Sequence, residues 1–369
     1  MSESEKRAMP LTVLNVAFSL APVSASAAGG AEQIVKALDG ALVSEGHTSI
    51  VLASEGSSVS GELWKIPATH GRVLDPDLRC QIQQAQRSAL HTIIQSRNVD
   101  LVHMHGVDFY RYLPEPGIPV LVTLHLPLDW YPPHIFHPAR PDTYLNCVSV
   151  TQQRSLPAAA APVPVIENGV FAHRDVPVYR KRAFAAALGR ICPEKGYHLA
   201  LGAAKRARVD CLLAGRIFRY PEHERYFAGE IVPRLDRGRR FIGGLGPTAK
   251  KWLLGSAQCL LVPSLAPETS SLVSMEALAC GTPVVAFRSG ALTEVIEHGK
   301  TGFLVSNEVE MSEAIPATRD LDPDGCRETA QRRFSLRRMT EAYLALYARL
   351  ASTATLWPRG TQGRQLSGT

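Results

Sequence analysis

A chain of 369 residues, 45% hydrophobic and 20% charged, is globular and long enough for two domains. Its net charge of +6 and pI near 9 suit anionic partners, such as phosphorylated small molecules or an anionic membrane face. The excess is modest and forms no long basic run, which argues against a nucleic-acid partner, and the seven scattered cysteines, odd in number and without a C-x-x-C pair, argue against a zinc ribbon or disulfide framework and for a reducing, cytoplasmic setting.

Lys6 and Arg7 precede an apolar run from Leu11, and Ala25-Ser26-Ala27 resembles a cleavage site, the pattern of a secretory signal. The competing reading is a first strand at residues 11–17 and a loop ending at Gly29-Gly30; the odd cysteines favour the strand. A helix over 31–45 follows, with Ala31, Ile34, Val35, Leu38 and Leu42 on one face. Glycines just before it let backbone approach a ligand at a helix start, although a Gly pair there is also an ordinary turn. Residues 48–53 read as a second strand. Asp75-Pro76-Asp77 is a D-x-D, but Asp75 is better explained as an N-cap with Pro76 at the first helical position, opening a helix to about 95. Asp322-Pro323-Asp324-Gly325 is likewise a turn, and no metal is expected.

Residues 101–106 and 120–125 read as strands, the second followed by the aromatic, proline-rich segment 126–134. His103 and His105 share one strand face; zinc is one reading, a packed or hydrogen-bonded histidine the commoner one. Asp129, Trp130 and Tyr131 either line an acceptor site or belong to a rigid loop. Residues 144–150 and 163–166 look like the last strands of this half, and 176–182 like a linker. No run of eighteen apolar residues occurs, so no transmembrane helix is expected.

The second half restarts the same architecture. A strand at 185–188 leads through Gly189-Arg190 to Lys195-Gly196 and a helix over 197–206. Two cations flanking a strand-to-helix loop can neutralise a departing anion. Strands at 211–215, 239–243 and 259–262 follow. Residues 263–287 read as loop, helix, turn and buried strand, with Ser270 or Ser271 able to cap the helix and Gly281 and Pro283 ending it. Glu268 and Glu276 flank the helix start with seven residues between them, a rise of about 12 Å if all were helical, which is too long for the paired carboxylates of a glycosidase. Between them a helix N-terminus favours an anion. An anion with a hydroxylated ring on either side describes a nucleotide diphosphate sugar; spacing alone equally allows a surface Glu and a helix-face Glu. Gly299-Lys300-Thr301 is a turn rather than a phosphate loop, since Glu294 stands where that pattern needs glycine. A helix over 336–350, capped by Ser335, closes the fold, and the Gly, Thr, Ser and Gln-rich residues from about 352 read as a disordered tail.

The E-x7-E segment, with MEALACGTPVVAF, Gly290, Glu294, His298, Gly299 and TGFLV, the G-R-x4-K-G loop at 189–196 and Ile166-x-Asn168-Gly169-Val170, resembles the retaining glycosyltransferases of family 4. The resemblance covers most of the chain, most strongly residues 185–305. It implies an α/β protein of the GT-B fold: two facing Rossmann-like, doubly wound domains with a C-terminal helix crossing back to the first. The corresponding division is 1–172, a linker at 173–184, a nucleotide-sugar domain at 185–334, the crossing helix at 335–351 and the tail at 352–369. The implied reaction is metal-independent transfer of a sugar from a UDP- or GDP-sugar to an acceptor hydroxyl, with retention and no tightly bound cofactor. By that resemblance Glu268, Arg190, Lys195 and His125 serve catalysis. Glu276, Ser270, Ser271, Leu272, Val273, Gly29, Gly30, Gly189 and Ile242 serve donor binding, and His105, Asp129 and Trp130 the acceptor. The family commonly has Gly-Phe-Gly after the first Glu, whereas this chain has Thr269-Ser270-Ser271, and a short Gly-Pro loop where it has residues 216–220. The alternatives are a donor-binding subunit without turnover, or a phosphorylase or epimerase of the same fold. Peripheral contact with the inner membrane face, and oligomeric state, stay open.

Overall fold

The computed structural model describes residues 9–24, 27, 29–67, 75–158, 163–172 and 178–354. Ala25 and Ser26 of the cleavage-like tripeptide, part of the linker and the tail beyond 354 lie outside these residues.

Two six-stranded sheets organise the chain. The first contains β1 (Thr12–Val16), β2 (Thr48–Ser54), β3 (Glu62–Ile66), β4 (Leu101–Met104), β5 (Val120–Leu124) and β6 (Thr143–Cys147), in the order β3-β2-β1-β4-β5-β6. The second contains β7 (Phe184–Leu188), β8 (Asp210–Ala214), β9 (Arg239–Phe241), β10 (Cys259–Val262), β11 (Val284–Phe287) and β12 (Gly302–Val305), in the order β12-β11-β10-β7-β8-β9. Every pairing between named strands is parallel. Parallel strands are covered by helices on both faces, so their sequences run apolar without alternation. Accordingly β4, β5, β10 and β11 are buried along their whole length. The two sheets have the same topology. Each reverses direction once, between β1 and β4 and between β7 and β10, and such reversals are where open α/β sheets bind ligands, beyond the strands' carboxyl ends.

The C-terminal helix Leu336–Ala354 packs on the first sheet although it follows the second. Its Met339, Tyr343, Leu346, Tyr347 and Leu350 join Val13, Ile34, Leu38, Leu42, Leu101 and Leu121 in one cluster. The crossing is made where Val170 N–H donates to Phe334 O at 2.8 Å and Leu336 N–H to Val170 O at 2.9 Å. Gly169 is needed here, because a Cβ would stand 2.7 Å from the Ser335 carbonyl.

The structure differs from the sequence expectation in several elements. Residues 322–325, read as a turn, instead open the helix Pro323–Phe334: Asp322 accepts from the Asp324 and Gly325 amides and Pro323 takes the first helical position. Strand β3 was not expected: its five residues are mostly half-exposed, as an edge position allows, and they lack a clear apolar run. Residues 163–166 form no strand, only a bridge between Val165 and Cys147. The strand expected to reach 150 stops at Cys147, because Ser149 caps a helix over Val150–Arg154.

Beneath the crossing helix lies a buried polar network. His103 meets the Tyr347 hydroxyl through Nδ1 at 2.7 Å and Thr123 Oγ1 through Nε2 at 2.7 Å. Both ring nitrogens are engaged, so the histidine is packed and hydrogen-bonded rather than a metal ligand. His105 meets His125 Nε2 at 3.0 Å and Asn15 Oδ1 at 3.4 Å. Burial drives all three imidazoles down, His125 to about 4, and neighbouring histidines push His103 and His105 lower still. An imidazole whose folded pKa lies below its unfolded 6.5 contributes stability that is complete above about pH 6.5 and is lost as pH falls toward the folded value. Urea denaturation should therefore show unfolding free energy falling between pH 6.5 and 5, by up to about 1.4 kcal/mol per pH unit per histidine. His105→Gln should flatten that slope; a wild-type stability constant over this range would contradict the buried, neutral triad.

Candidate active site

The loops leaving β7 and β10 meet at the second sheet's reversal. After β7 the chain passes Gly189, whose N–H donates to Ala214 O at 3.1 Å, and turns through Pro193–Lys195 into the helix Tyr197–Arg206. The loop after β10 is stitched to it by backbone, with Leu265 N–H donating to Glu194 O at 2.8 Å. This brings Lys195 Nζ to 2.6 Å from Glu268 Oε1, and the Ser264 hydroxyl donates to the same oxygen. Burial works against charge on Glu268, but Lys195, Ser264 and nearby Arg190 outweigh it and hold the carboxyl below its usual range. Gly290 (φ 54°) lets the following loop pass behind Glu268, where a Cβ would lie 2.7 Å from the Glu268 nitrogen.

Glu276 sits about one turn into the helix Leu272–Ala279 and is paired with Lys250 Nζ at 2.6 Å. Lys250 belongs to the helix Pro247–Ser256 and was not singled out from sequence; nothing in its spacing marks it. The expected serine cap is not made. Ser271 adopts the left-handed conformation (φ 64°, ψ 66°), which turns its hydroxyl to Ser274 Oγ at 2.8 Å instead of onto the first-turn amides. The Leu272 and Val273 amides therefore carry no side-chain cap, and the buried Ser270 hydroxyl has no partner among the described residues.

The first domain brings a second helix start to the same place. Gly29 occupies the N-cap of the helix Gly30–Ser44, and a Cβ on Gly30 would lie 3.2 Å from Leu272 Cδ1. Two helix N-termini thus approach one another, each favouring negative charge. Glu32, unmarked in the sequence reading, is buried in that first turn; burial pushes its carboxyl up despite its own amide and the Arg190 charge. His105 and His125 stand at the carboxyl ends of β4 and β5, on the same side of the first sheet. Ile242 lies just past β9, 39% exposed, with its N–H given to Leu213 O at 2.9 Å, so of its backbone groups the carbonyl is the one left to face a ligand. Asp129 and Trp130 lie on an exposed turn. Tyr131 does not join them: it is buried in the first domain's core, its hydroxyl accepting from Leu126 N–H at 3.3 Å.

Two contacts tie the domains together across the cleft. Thr269 Oγ1 donates to the His125 carbonyl at 2.8 Å. Glu294 accepts from Val150 N–H at 3.0 Å and from Thr151 N–H, at the start of the helix Val150–Arg154. The space offers two carboxylates paired with lysines, the Arg190 cation beside them and two helix starts whose N-cap residues make no side-chain cap bond. Such a set can hold hydroxyls at two points and an anion between them.

Residues 28–174 match the family model for Glycosyltransferase Family 4, and residues 171–321 the model for Glycosyl transferases group 1. A phosphatidyl-myo-inositol mannosyltransferase of Propionibacterium freudenreichii subsp. shermanii is 27% identical over 338 residues, 80% of this chain and 84% of that protein. Among solved structures, sucrose-phosphate synthase from Thermosynechococcus elongatus superposes with a TM-score of 0.76 at 18% identity, covering 93% of this chain and all of that one (100%). HepE of Anabaena, in complex with UDP-glucose, superposes with a TM-score of 0.68 at 17% identity, covering 94% and 100%. Among the described residues no helix is long and apolar enough to cross a membrane. With both halves matched in order and two Rossmann-like domains facing a common cleft, the chain belongs to the family 4 glycosyltransferases of the GT-B fold, enzymes that move a sugar from a nucleotide-sugar donor.

Proposed function

We propose that the enzyme transfers a sugar from a UDP- or GDP-sugar to an acceptor hydroxyl with retention of anomeric configuration, without a metal ion on the diphosphate. The Lys195–Glu268 pair at 2.6 Å, placed at the sheet reversal, carries this reading. Glu268 accepts hydroxyls of the transferred sugar, and Glu276, steadied by Lys250, accepts the ribose hydroxyls. Arg190 and Lys195 take up the charge that develops on the departing diphosphate, where fixed cations lower the barrier most. Amides of residues 270–273 and of Gly29 and Gly30 approach the phosphates and sugar, and the Ile242 carbonyl and Gly189 border the nucleoside. The acceptor enters on the face the diphosphate leaves. Its oxygen bonds to the anomeric carbon as the bond from that carbon to the phosphate oxygen breaks, and its proton passes to the leaving phosphate.

His125 lies beside the transferred sugar. As a buried, neutral imidazole it hydrogen-bonds and carries no charge at neutral pH. His105 holds that ring in place, and Asp129 and Trp130 border the acceptor's path. The UDP-glucose bound by HepE supports a uridine donor. The net charge of +6, with a relative named for phosphatidyl-myo-inositol, supports a phosphorylated or membrane-borne acceptor met from the cytoplasmic side.

Glu268→Ala and Arg190→Ala should each lower kcat by at least about 10²-fold, as expected for a contact made in the transition state, and near wild-type turnover in both would refute the assignment. Lys250→Met should instead raise the donor KM by about tenfold with a smaller effect on kcat. Removing the cross-domain bonds in Thr269→Val/Glu294→Ala, at about 1 kcal/mol per hydrogen bond, should favour the open form. Small-angle scattering should then give a larger radius of gyration than wild type; an unchanged radius with unchanged KM would rule out a role in closure.

A further inference from the structure

The cation loop carries a second cluster on its inner side that sugar transfer does not use. Cys192 and Glu194 lie between Arg190 and Lys195, and His223 reaches them from the short helix Pro221–Tyr226. The Cys192 sulfur, a Glu194 carboxylate oxygen and a ring nitrogen of His223 all lie within 4.8 Å of one another. Cys192 and His223 are buried, at 0% and 4% exposure. Two polar atoms here have no hydrogen-bond partner, His223 Nδ1 and Glu194 Oε2, and both are buried. Buried polar atoms left so are uncommon, and each asks for a missing partner.

We propose that Cys192, Glu194 and His223 form a binding site for a soft divalent cation, zinc foremost. Sulfur, carboxylate and imidazole are the three donor types zinc takes, at about 2.0–2.3 Å, so a tetrahedral site needs its ligand atoms roughly 3.3–3.8 Å apart. The three ligand atoms, within 4.8 Å of one another, stand at most about 1 Å wider than the longest of those separations, the amount by which metal binding would draw them in. A thiolate and a carboxylate together balance the dication, which leaves the neighbouring Arg190 charge for phosphate. The fourth position falls to water or to the Arg190 carbonyl, which lies 3.5 Å from the sulfur. The two unpartnered atoms would both gain a ligand bond. The metal would staple the loop bearing Arg190 and Lys195 to the helix bearing His223, without touching the diphosphate. The D-x-D tripeptides are not involved: Asp75 and Asp322 are both spent capping helices.

The test uses the full-length chain, stripped with chelator and titrated with cobalt(II). One equivalent should bind per chain and give a thiolate-to-cobalt charge-transfer band that zinc then displaces. Cys192→Ser should abolish the band, whereas Cys80→Ser, at an exposed cysteine, should leave it. His223→Gln and Glu194→Gln should each weaken zinc by at least about tenfold in competition with a chromophoric chelator. His223→Gln keeps the test alive if Cys192→Ser does not fold. A wild-type chain that gives no charge-transfer band, a band that survives in Cys192→Ser, or zinc affinity unchanged in His223→Gln would each overturn the proposal.

Discussion

A 2.6 Å ion pair between Lys195 and Glu268 joins two loops that leave neighbouring strands at the point where the sheet reverses. Both partners are largely sheltered, with side-chain exposures of 28% and 11%, so each needs the other. Removing the lysine would leave a buried carboxylate without its main counter-charge. Removing the glutamate would leave a cation loop with nothing to space it. The backbone bond from Leu265 to Glu194 and the left-handed Gly290 behind Glu268 serve to keep the pair in register. On the proposed reading, a nucleotide sugar entering here would meet charges that are already fixed, leaving little reorganisation for the moment of transfer.

The first domain answers with a different chemistry. Its contribution is a run of buried, neutral imidazoles and an uncapped helix start, held in place by a helix that arrives from the far end of the chain. Tyr347 and Tyr343 on that helix reach His103, Thr123 and Asn146, so the geometry around His105 and His125 depends on residues more than two hundred positions away. Thr269 joins the two halves: it follows Glu268 directly, yet its hydroxyl binds the carbonyl of His125. In this chain, a hydroxyl at the position where the family commonly has glycine becomes a contact between domains. This is a concrete way for donor-loop and acceptor-side geometry to be coupled.

Much of this was legible in the sequence, for a physical reason. Parallel strands buried on both faces read as apolar runs, and the loops at their carboxyl ends must carry glycine, cations and acids at fixed spacing if they are to hold a diphosphate. Arg190, Lys195, Glu268 and Glu276 stand out through the resemblance to the family's motifs, since their spacing alone equally allows surface residues. What stayed hidden depends on tertiary contact alone. Lys250 is one lysine among several on an exposed helix until Glu276 is folded against it. Glu32 looks like an ordinary first-turn acid, and neither its burial nor its nearness to Arg190 of the second domain is marked in its spacing. Ser271 has the composition of a cap, but its left-handed backbone sends the hydroxyl elsewhere. Strand β3 is a half-exposed edge and carries too little apolar signal to announce itself.

The proposed cleft would bind a nucleoside diphosphate through Lys195 and its neighbours without magnesium. The most direct measurement is a calorimetric titration of the full-length protein with UDP, GDP and ADP in magnesium-free buffer, repeated on Lys195→Met. One nucleotide should bind at a single site per chain, and Lys195→Met should weaken it by about 10–100-fold, the scale of a lost charge-assisted bond. Binding that requires magnesium, or that is as tight in Lys195→Met as in wild type, would contradict it.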